Sequence, residues 1–235
     1  MPQYLLLDPR RAPVYIGLAI GACRPMPVSL IPQAATPLPA EQVTAWADAT
    51  VPRGHQLHRF KWLFQDDRAS TGGQGSARIA PPDSLRFDVM GPFGSNPTAA
   101  VVVGDSARWV RPADAVEKMI PNYPLMWAMF GVAQHPERGA VVRGFRGQRA
   151  TVWQYVSGVD TVEYARLDRG DPTFVAIVRH AGEVIGRVET RLAPDGTPLK
   201  ARLIVPSIPA RLDITFLSTE LSAGYPPDTW YPDDR

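Results

Sequence analysis

The sequence predicts a mainly β protein, built as one strongly curved antiparallel sheet of about ten strands that forms an incomplete barrel. The chain of 235 residues carries 25 prolines and 19 glycines, which disfavour a helical bundle and supply many turns. Valine, isoleucine, threonine and aromatic residues recur in short runs, as is typical of strands. Several runs alternate apolar and polar side chains, which is the period of a strand with one face in water. One globular β domain follows.

The alternation is clearest in four segments. In each, one face of the predicted strand carries mostly apolar residues and the other carries charged or polar ones. The pairs of faces are Phe60, Trp62 and Phe64 opposite Arg59 and Lys61; Leu85, Phe87 and Val89 opposite Arg86 and Asp88; Val188, Thr190 and Leu192 opposite Arg187, Glu189 and Arg191; Leu212, Ile214 and Phe216 opposite Arg211, Asp213 and Thr215. Turn signals such as Gly104-Asp105 and Pro194-Asp195-Gly196-Thr197 separate such segments. We therefore expect a meander between His55 and Phe216, with Gly72-Gly73-Gln74-Gly75 as a flexible hairpin connection.

Two helices are expected beside the sheet. Residues 40–50 place Val43, Trp46 and Ala47 at helical spacing, which predicts an amphipathic helix at the start of the domain. Residues 113–133 begin with a short helical pattern, and Pro124 suits the first turn of a second helix. That helix is apolar on every side, so it must be buried or touch lipid. It is either a plug inside the curved sheet or a lid on a membrane, formed by Leu125, Met126, Trp127, Met129 and Phe130.

The N-terminus is typical of a secretory signal. Arg10-Arg11 is followed by the uncharged residues 12–22, and small residues precede Cys23, which is the only cysteine of the chain. An uncharged run this short cannot span a bilayer, which needs about 20 residues. Ile20-Gly21-Ala22-Cys23 resembles a bacterial lipobox. The resemblance implies that residues 1–22 are removed as a signal peptide and that Cys23 carries diacylglycerol and a further acyl chain such as palmitate.

The residues after Cys23 predict a tether. Residues 24–39 contain five prolines, and such spacing favours an extended chain that pairs with no other strand. Arg24, in the place where aspartate signals retention in the inner membrane of enterobacteria, indicates the outer membrane. The expected organisation is a signal peptide at 1–22, a lipidated cysteine and tether at 23–39, the β domain at 40–217 and an extended tail at 218–235.

Several functional classes are disfavoured. A net charge of +2 with interspersed signs does not predict a nucleic-acid partner. His55 and His58 lack a third ligand nearby, so no metal or cofactor is expected. The run from Val101 to Ser106 resembles the nucleophile block of GDS-type serine esterases. No histidine of the chain follows an aspartate by three residues, so the base that such a serine needs is missing, and we expect a hairpin turn and no enzyme.

The order of elements resembles the LolA/LolB superfamily of lipoprotein carriers, especially its LolB-like domains. The resemblance lies in a lipobox, a tether, a short helix, about five strands, a helical insert and further strands. The residues that carry it are Ser76-Ala77-Arg78-Ile79, the run from Asp83 to Gly94, the run from Val101 to Asp105, and Asp195-Gly196-Thr197-Pro198. It covers about residues 41–217 and implies a half-barrel, covered by helices, around an apolar cavity for acyl chains.

The resemblance implies an outer-membrane lipoprotein on the periplasmic face that binds acyl chains in lipoprotein or lipid transfer. The alternative is a non-catalytic scaffold lipoprotein that binds a periplasmic protein partner. Any one aromatic residue is expected in an ordinary core, whereas the set indicates a cavity. The candidate cavity residues are Phe60, Trp62, Phe64, Leu85, Phe87, Trp109 and Trp153.

Overall fold

Thirteen strands form one antiparallel sheet in the computed structural model. The structure describes residues 29–95, 97–104, 106–111, 119–169 and 171–231, with the backbone alone at 93, 106–111, 168, 169 and 171. The strands are β1 Thr36–Leu38, β2 His55–Gln65, β3 Ser70–Ala80, β4 Ser84–Met90, β5 Thr98–Val103, β6 Ser106–Arg111, β7 Val141–Arg146, β8 Ala150–Ser157, β9 Asp160–Arg169, β10 Asp171–His180, β11 Glu183–Leu192, β12 Pro198–Val205 and β13 Ala210–Ser222. The helices are α1 Gln42–Asp48 and α2 Tyr123–Ala128, with short 3-10 turns at Pro92–Gly94 and Pro227–Trp230.

Two meanders build this sheet. Strands β2 to β6 pair in sequence, strands β7 to β13 pair in sequence, and β13 joins the two by pairing with β2. Strand β1 adds beside β7, so β1 and β6 are the two edges and the sheet does not close into a barrel. The predicted open antiparallel sheet is confirmed. Twelve strands, rather than about ten, lie between His55 and the end of β13.

Strand β10 lacks the alternation of apolar and polar residues that marks the other strands. Its residues from Phe174 to Val178 are all buried, so both faces of the strand are covered. A strand covered on both faces has a continuous apolar run instead of a period of two. The outer cover comes from the N-terminal segment, which the local pattern around β10 does not reveal.

The helices lie against the inner, concave face of the sheet. Val43 and Ala47 of α1 and the whole apolar run of α2 belong to the same buried cluster as the inward residues of the strands. Asn122 precedes α2 in an extended conformation and Pro124 lies in its first turn, as predicted. The helical pattern expected at residues 113–118 lies outside the described residues. No helix in the described part of the chain is long and apolar enough to cross a membrane.

The predicted free tether is wrong for the residues that the structure describes after position 28. Thr36–Leu38 pairs with Arg146, Phe145 and Gly144 of β7, although Pro37 lies in the middle of the segment. An edge strand tolerates proline because its outward N–H groups need no partner in the sheet. Leu30 and Ile31 pack on the outer face against Val152, Ala165 and Val175. The signal peptide and Cys23 fall outside the described residues, so their assignment stays a prediction.

The expected C-terminal tail begins later than predicted. Strand β13 continues through Ser222, where it pairs with His55, because a bulge after Phe216 shifts the register and lets pairing resume at Ser218. The following residues are not a plain extended segment. They form the turn Pro227–Trp230, and the Arg86 guanidinium donates a hydrogen bond to the Thr229 carbonyl at 3.1 Å. Residues 232–235 are outside the described residues.

Candidate binding site

Most of the aromatic residues predicted from the strand patterns to face inward lie on the concave face of the sheet. Phe60, Trp62 and Phe64 alternate along β2 and are 0, 8 and 7% exposed. Leu85 and Phe87 of β4 lie in the same cluster. Phe60 stacks on Phe87, with ring centroids 5.2 Å apart and an angle of 17° between the rings. The alternation of β2 and β4 therefore does place one apolar row on the inner face.

Trp153 lies in the same cluster but under a different cover. It belongs to β8, and its ring centroid is 6.3 Å from that of Trp46 in α1. Trp46 also stacks on Phe174 of β10, with a centroid distance of 6.2 Å. Helix α1 thus covers the part of the concave face that β8 and β10 form. The backbone of Trp109 pairs with Ala100, and its side chain is outside the described residues.

Helix α2 fills the remaining part of the concave face. It packs on β10 and β11, and every residue from Leu125 to Phe130 is at most 4% exposed. Phe130 makes edge-to-face contacts with Phe87 and Phe216, with centroid distances of 6.4 and 5.6 Å. Of the two expected roles for this helix, the plug is the one observed.

Two threonine hydroxyls make polar contacts with the plug and the segment after it. Thr190 of β11 donates its hydroxyl to the Ala128 carbonyl at 2.8 Å. Thr50 donates to the Ala47 carbonyl at the end of α1 at 2.7 Å and accepts the Ala133 N–H at 2.8 Å. The Thr50 hydroxyl therefore links the end of α1 to the segment that follows α2, so the two covers are connected.

Glycines make room for the large rings, which corrects the expectation for Gly72 to Gly75. These residues lie inside β3, paired with β2, and the hairpin turn is at residues 66–69. A Cβ on Gly75 would lie 2.4 Å from the Phe60 ring. The Trp62 indole N–H donates to the Gln74 and Met90 carbonyls at 3.2 and 3.1 Å. Here glycine serves close approach of a side chain rather than flexibility.

His58 is a buried titratable group beside the plug. Its residue is 1% exposed, and its ring packs against Phe130 and Phe216 with centroid distances of 5.4 and 5.7 Å. Nδ1 and the Thr219 hydroxyl are 2.9 Å apart, while the buried Nε2 has no hydrogen-bond partner. Burial lowers the pKa of His58 to about 4. The ring is therefore neutral at physiological pH.

His55 and His58 do not form a site together. His55 stacks edge-on against Tyr225 with a centroid distance of 5.7 Å, whereas His58 faces the plug. Among the described residues no group of three histidine, cysteine, aspartate or glutamate side chains could hold a metal ion. At the predicted hairpin, Val103 pairs with Ser106, which makes the short turn expected in place of a nucleophile block.

Two adjoining cavities border helix α2. A cavity of about 320 Å³ lies at the end of α2 and is lined by Trp127, Val51, Pro82, Gly104 and Val132, among others. A smaller one of about 60 Å³ lies at the start of α2, next to Tyr123, Tyr155 and Tyr164. The two cavities share Gln134, His135 and Glu137 in their linings, so they adjoin on one side of the plug.

Solved structures resemble this architecture. A LolA superfamily protein from Nitrosomonas europaea superposes with a TM-score of 0.54 over 83% of this chain and 99% of its own, at 11% sequence identity. This chain therefore has the LolA-like fold. A domain from Vibrio parahaemolyticus described as an outer membrane lipoprotein-sorting protein superposes with a TM-score of 0.55 over 82% of this chain and 97% of its own, also at 11% identity. No protein-family profile and no curated protein sequence matches the chain.

Within this LolA-like fold, the structure unites most of the predicted site residues. All the candidate cavity residues with described side chains, and all the plug residues, belong to one buried cluster. The sequence patterns place Thr190 in an inward row but give no polar role to Thr50, Thr190 or Thr219, which supply the polar contacts of the plug and of His58. A buried threonine in an otherwise apolar row, as at Thr190 between Val188 and Leu192, is the one available signal.

Proposed function

We propose that this protein is an acylated lipoprotein of the bacterial envelope, anchored through Cys23 at the periplasmic face of the outer membrane. In this proposal it binds acyl chains on the concave face of its LolA-like sheet and serves lipoprotein or lipid transfer without catalysis. The observation that carries the proposal is the plug. An apolar concave face is covered by the buried apolar side chains of Leu125 to Phe130, and the Thr190 hydroxyl donates a hydrogen bond to the Ala128 carbonyl within this cover.

The energetic balance favours exchange between the plug and an acyl chain. Full burial of a large apolar side chain stabilises by about 2 kcal/mol, so the five apolar residues of the plug contribute about 10 kcal/mol. A palmitoyl chain at about 0.8 kcal/mol per methylene would recover about 12 kcal/mol on the same face. Since apolar attraction follows area and not direction, a chain can replace the helix at little net cost.

Reloading of the purified protein with palmitate tests this function. The lipoprotein is extracted in detergent, delipidated and titrated with a fluorescent fatty acid, and its native lipids and the acylation of Cys23 are measured by mass spectrometry. Phe130→Leu removes the aromatic contacts of the plug with Phe87 and Phe216. Because the plug is then held less firmly, this variant should bind the fatty acid severalfold more tightly. Phe174→Leu is the matched control, because Phe174 is equally buried under α1 and its loss should leave binding unchanged.

A second function is favoured by how completely the helices fill the concave face. All of the residues from Leu125 to Phe130 are buried, so the same structure also suits a sealed scaffold that binds a periplasmic protein partner on its outside. Failure to take up fatty acid after delipidation, together with a specific copurifying protein, would select the scaffold and reject the carrier.

A further inference from the structure

A buried carboxylate holds the N-terminal segment on the outer face of the sheet. Glu163 of β9 is 2% exposed. Its oxygens accept hydrogen bonds from the Ser29 hydroxyl at 3.0 and 3.2 Å, the Leu30 N–H at 2.8 Å and the Gln154 amide at 3.0 Å. Arg179 adds an ion pair at 3.5 Å. A carboxylate that is buried with this many donors is a specific anchor point.

Apolar and backbone contacts extend the attachment. We call residues 29–38 the strap. Its Leu30 and Ile31 cover a small cluster of Val152, Ala165 and Val175, which are each 0% exposed. Farther along, Gly147 has no room for a side chain, because a Cβ there would lie 2.9 Å from the Pro32 ring. The strap then pairs as β1 with β7. It is attached along most of its length.

The docked strap shortens the distance over which an anchor at Cys23 can hold the domain. Six residue steps separate Cys23 from Ser29, which span at most about 21 Å in a fully extended chain. The tether expected from the sequence, which ran to Pro39, would reach about 55 Å by the same measure. The outer face of β8 to β10, where the strap begins, must therefore lie close to the bilayer that holds the acyl chains.

The surface beside the strap is basic. Arg143 of β7 is paired with Gln154 of β8, which is paired with Glu163 of β9. Because paired residues of neighbouring strands lie on the same face, Arg143 shares the outer face with Glu163. Arg146, at the end of β7 on the opposite face from Arg143, and Arg149 flank the adjacent hairpin, and all three arginines are exposed. Residues 138–159 contain no aspartate or glutamate. Arginines close to a membrane surface are attracted to anionic lipid headgroups.

We propose that the strap orients the domain on the membrane, with Arg143, Arg146 and Arg149 against anionic phospholipid headgroups and the β3 side of the sheet turned away. This inference rests on the acylated Cys23 of the proposed function. It assigns a membrane-facing surface that the position of Cys23 alone does not define, because a long free tether would leave every face equally exposed to the bilayer.

Energy transfer to labelled lipids tests the orientation in the full lipoprotein. When the Cys23 thiol is acylated, an introduced cysteine is the only free thiol of the chain. Gln148→Cys, in the basic hairpin, and Gln74→Cys, on β3, both replace exposed glutamines. Each is labelled with a donor dye in vesicles of phosphatidylethanolamine and phosphatidylglycerol that carry an acceptor on their headgroups. Seven strand positions separate β8 from β3, or about 33 Å along the sheet.

We expect transfer at Gln148→Cys to exceed that at Gln74→Cys by about twofold or more, given that separation. Glu163→Ala should bring the two signals together, whereas Glu189→Ala, on an exposed outer-face glutamate of β11, should not. Leu30→Ser with Ile31→Ser is a second way to release the strap that leaves the sheet intact. Replacing Arg143, Arg146 and Arg149 by glutamine should reduce the difference.

The possible failures are distinct. An unmodified Cys23 in the mass spectrum would overturn the anchoring in the proposed function and the membrane-facing surface with it. Acylated protein with equal transfer from both labels would overturn the orientation alone and leave acyl-chain binding in place. A difference that survives the arginine replacements would overturn the headgroup contact.

Discussion

The Glu163 carboxylate accepts the backbone N–H of Leu30 at 2.8 Å across 133 residues of sequence. This bond joins the first described residues of the chain to the middle of the sheet. It makes the proline-rich N-terminal segment part of the folded domain, so the folding unit begins at or before Ser29 and not at residue 40.

Truncation tests this boundary. A chain that begins at residue 40 exposes Val152, Ala165 and Val175 and should lose about 3 kcal/mol in its free energy of unfolding relative to a chain that begins at residue 29, because apolar area is uncovered. Urea denaturation followed by tryptophan fluorescence measures the difference. Equal midpoints for the two chains would show that the strap adds nothing to the fold.

Acidification should destabilise the protein through His58. Its pKa is lowered by burial to about 4, below the value of about 6.5 in an unfolded chain. The unfolded state therefore binds the proton more strongly, so stability is full above pH 6.5 and falls by up to about 3 kcal/mol as the pH drops to 4. Urea midpoints measured across this range should fall in the native protein.

Two variants show whether His58 causes this loss of stability. In His58→Phe the loss of stability between pH 6.5 and 4 should be smaller by most of that amount. His180→Gln, at a histidine whose side chain is 60% exposed, should keep the native pH dependence. An unchanged slope in His58→Phe would assign the acid sensitivity to other groups.

The close approach of β3 to the aromatic row predicts the effect of Gly75→Ala. The added methyl group would lie 2.4 Å from the Phe60 ring, so the ring must move within a packed core, at a cost of about 1 to 3 kcal/mol. Gly224→Ala is the matched control, since nothing lies within 4 Å of a Cβ at that position. Thermal denaturation should separate the two variants, and similar melting temperatures would contradict the packing described for Phe60.

Loosening of the plug should follow from Thr190→Val. The variant removes the hydroxyl that donates to the Ala128 carbonyl and should cost about 1 kcal/mol, the net contribution of an ordinary hydrogen bond. We expect faster hydrogen exchange for the amides of residues 125–131 and tighter fatty-acid binding. Thr215→Val, on the exposed outer face of β13, should change neither. Slow exchange that persists in Thr190→Val would show that this bond does not hold the helix.

Local patterns predicted the inner face of the sheet well, for a physical reason. Phe60, Phe87 and Leu212 face inward because one face of each of their strands is buried and the other is exposed to solvent. Such a strand shows an alternation of apolar and polar residues with a period of two. The helix from Leu125 was equally predictable, since an apolar surface on every side admits only burial or contact with lipid.

Partners distant in sequence were not predictable in this way. The buried run of β10 and the burial of Glu163 depend on a strap that contacts them from more than 130 residues away. The sequence pattern predicts a flexible turn at the glycines of β3, because the Phe60 ring that occupies the space beside Gly75 lies on another strand.

Local sequence patterns were enough to predict the β class, the inward aromatic row, the apolar helix and an acyl anchor at Cys23. Long-range contacts were needed to show that the helix plugs the concave face, that the proline-rich segment is docked on the outer face, and that His58 is buried beside the plug. The reason is that periodicity records which environment a side chain needs, whereas packing decides which distant segment supplies it.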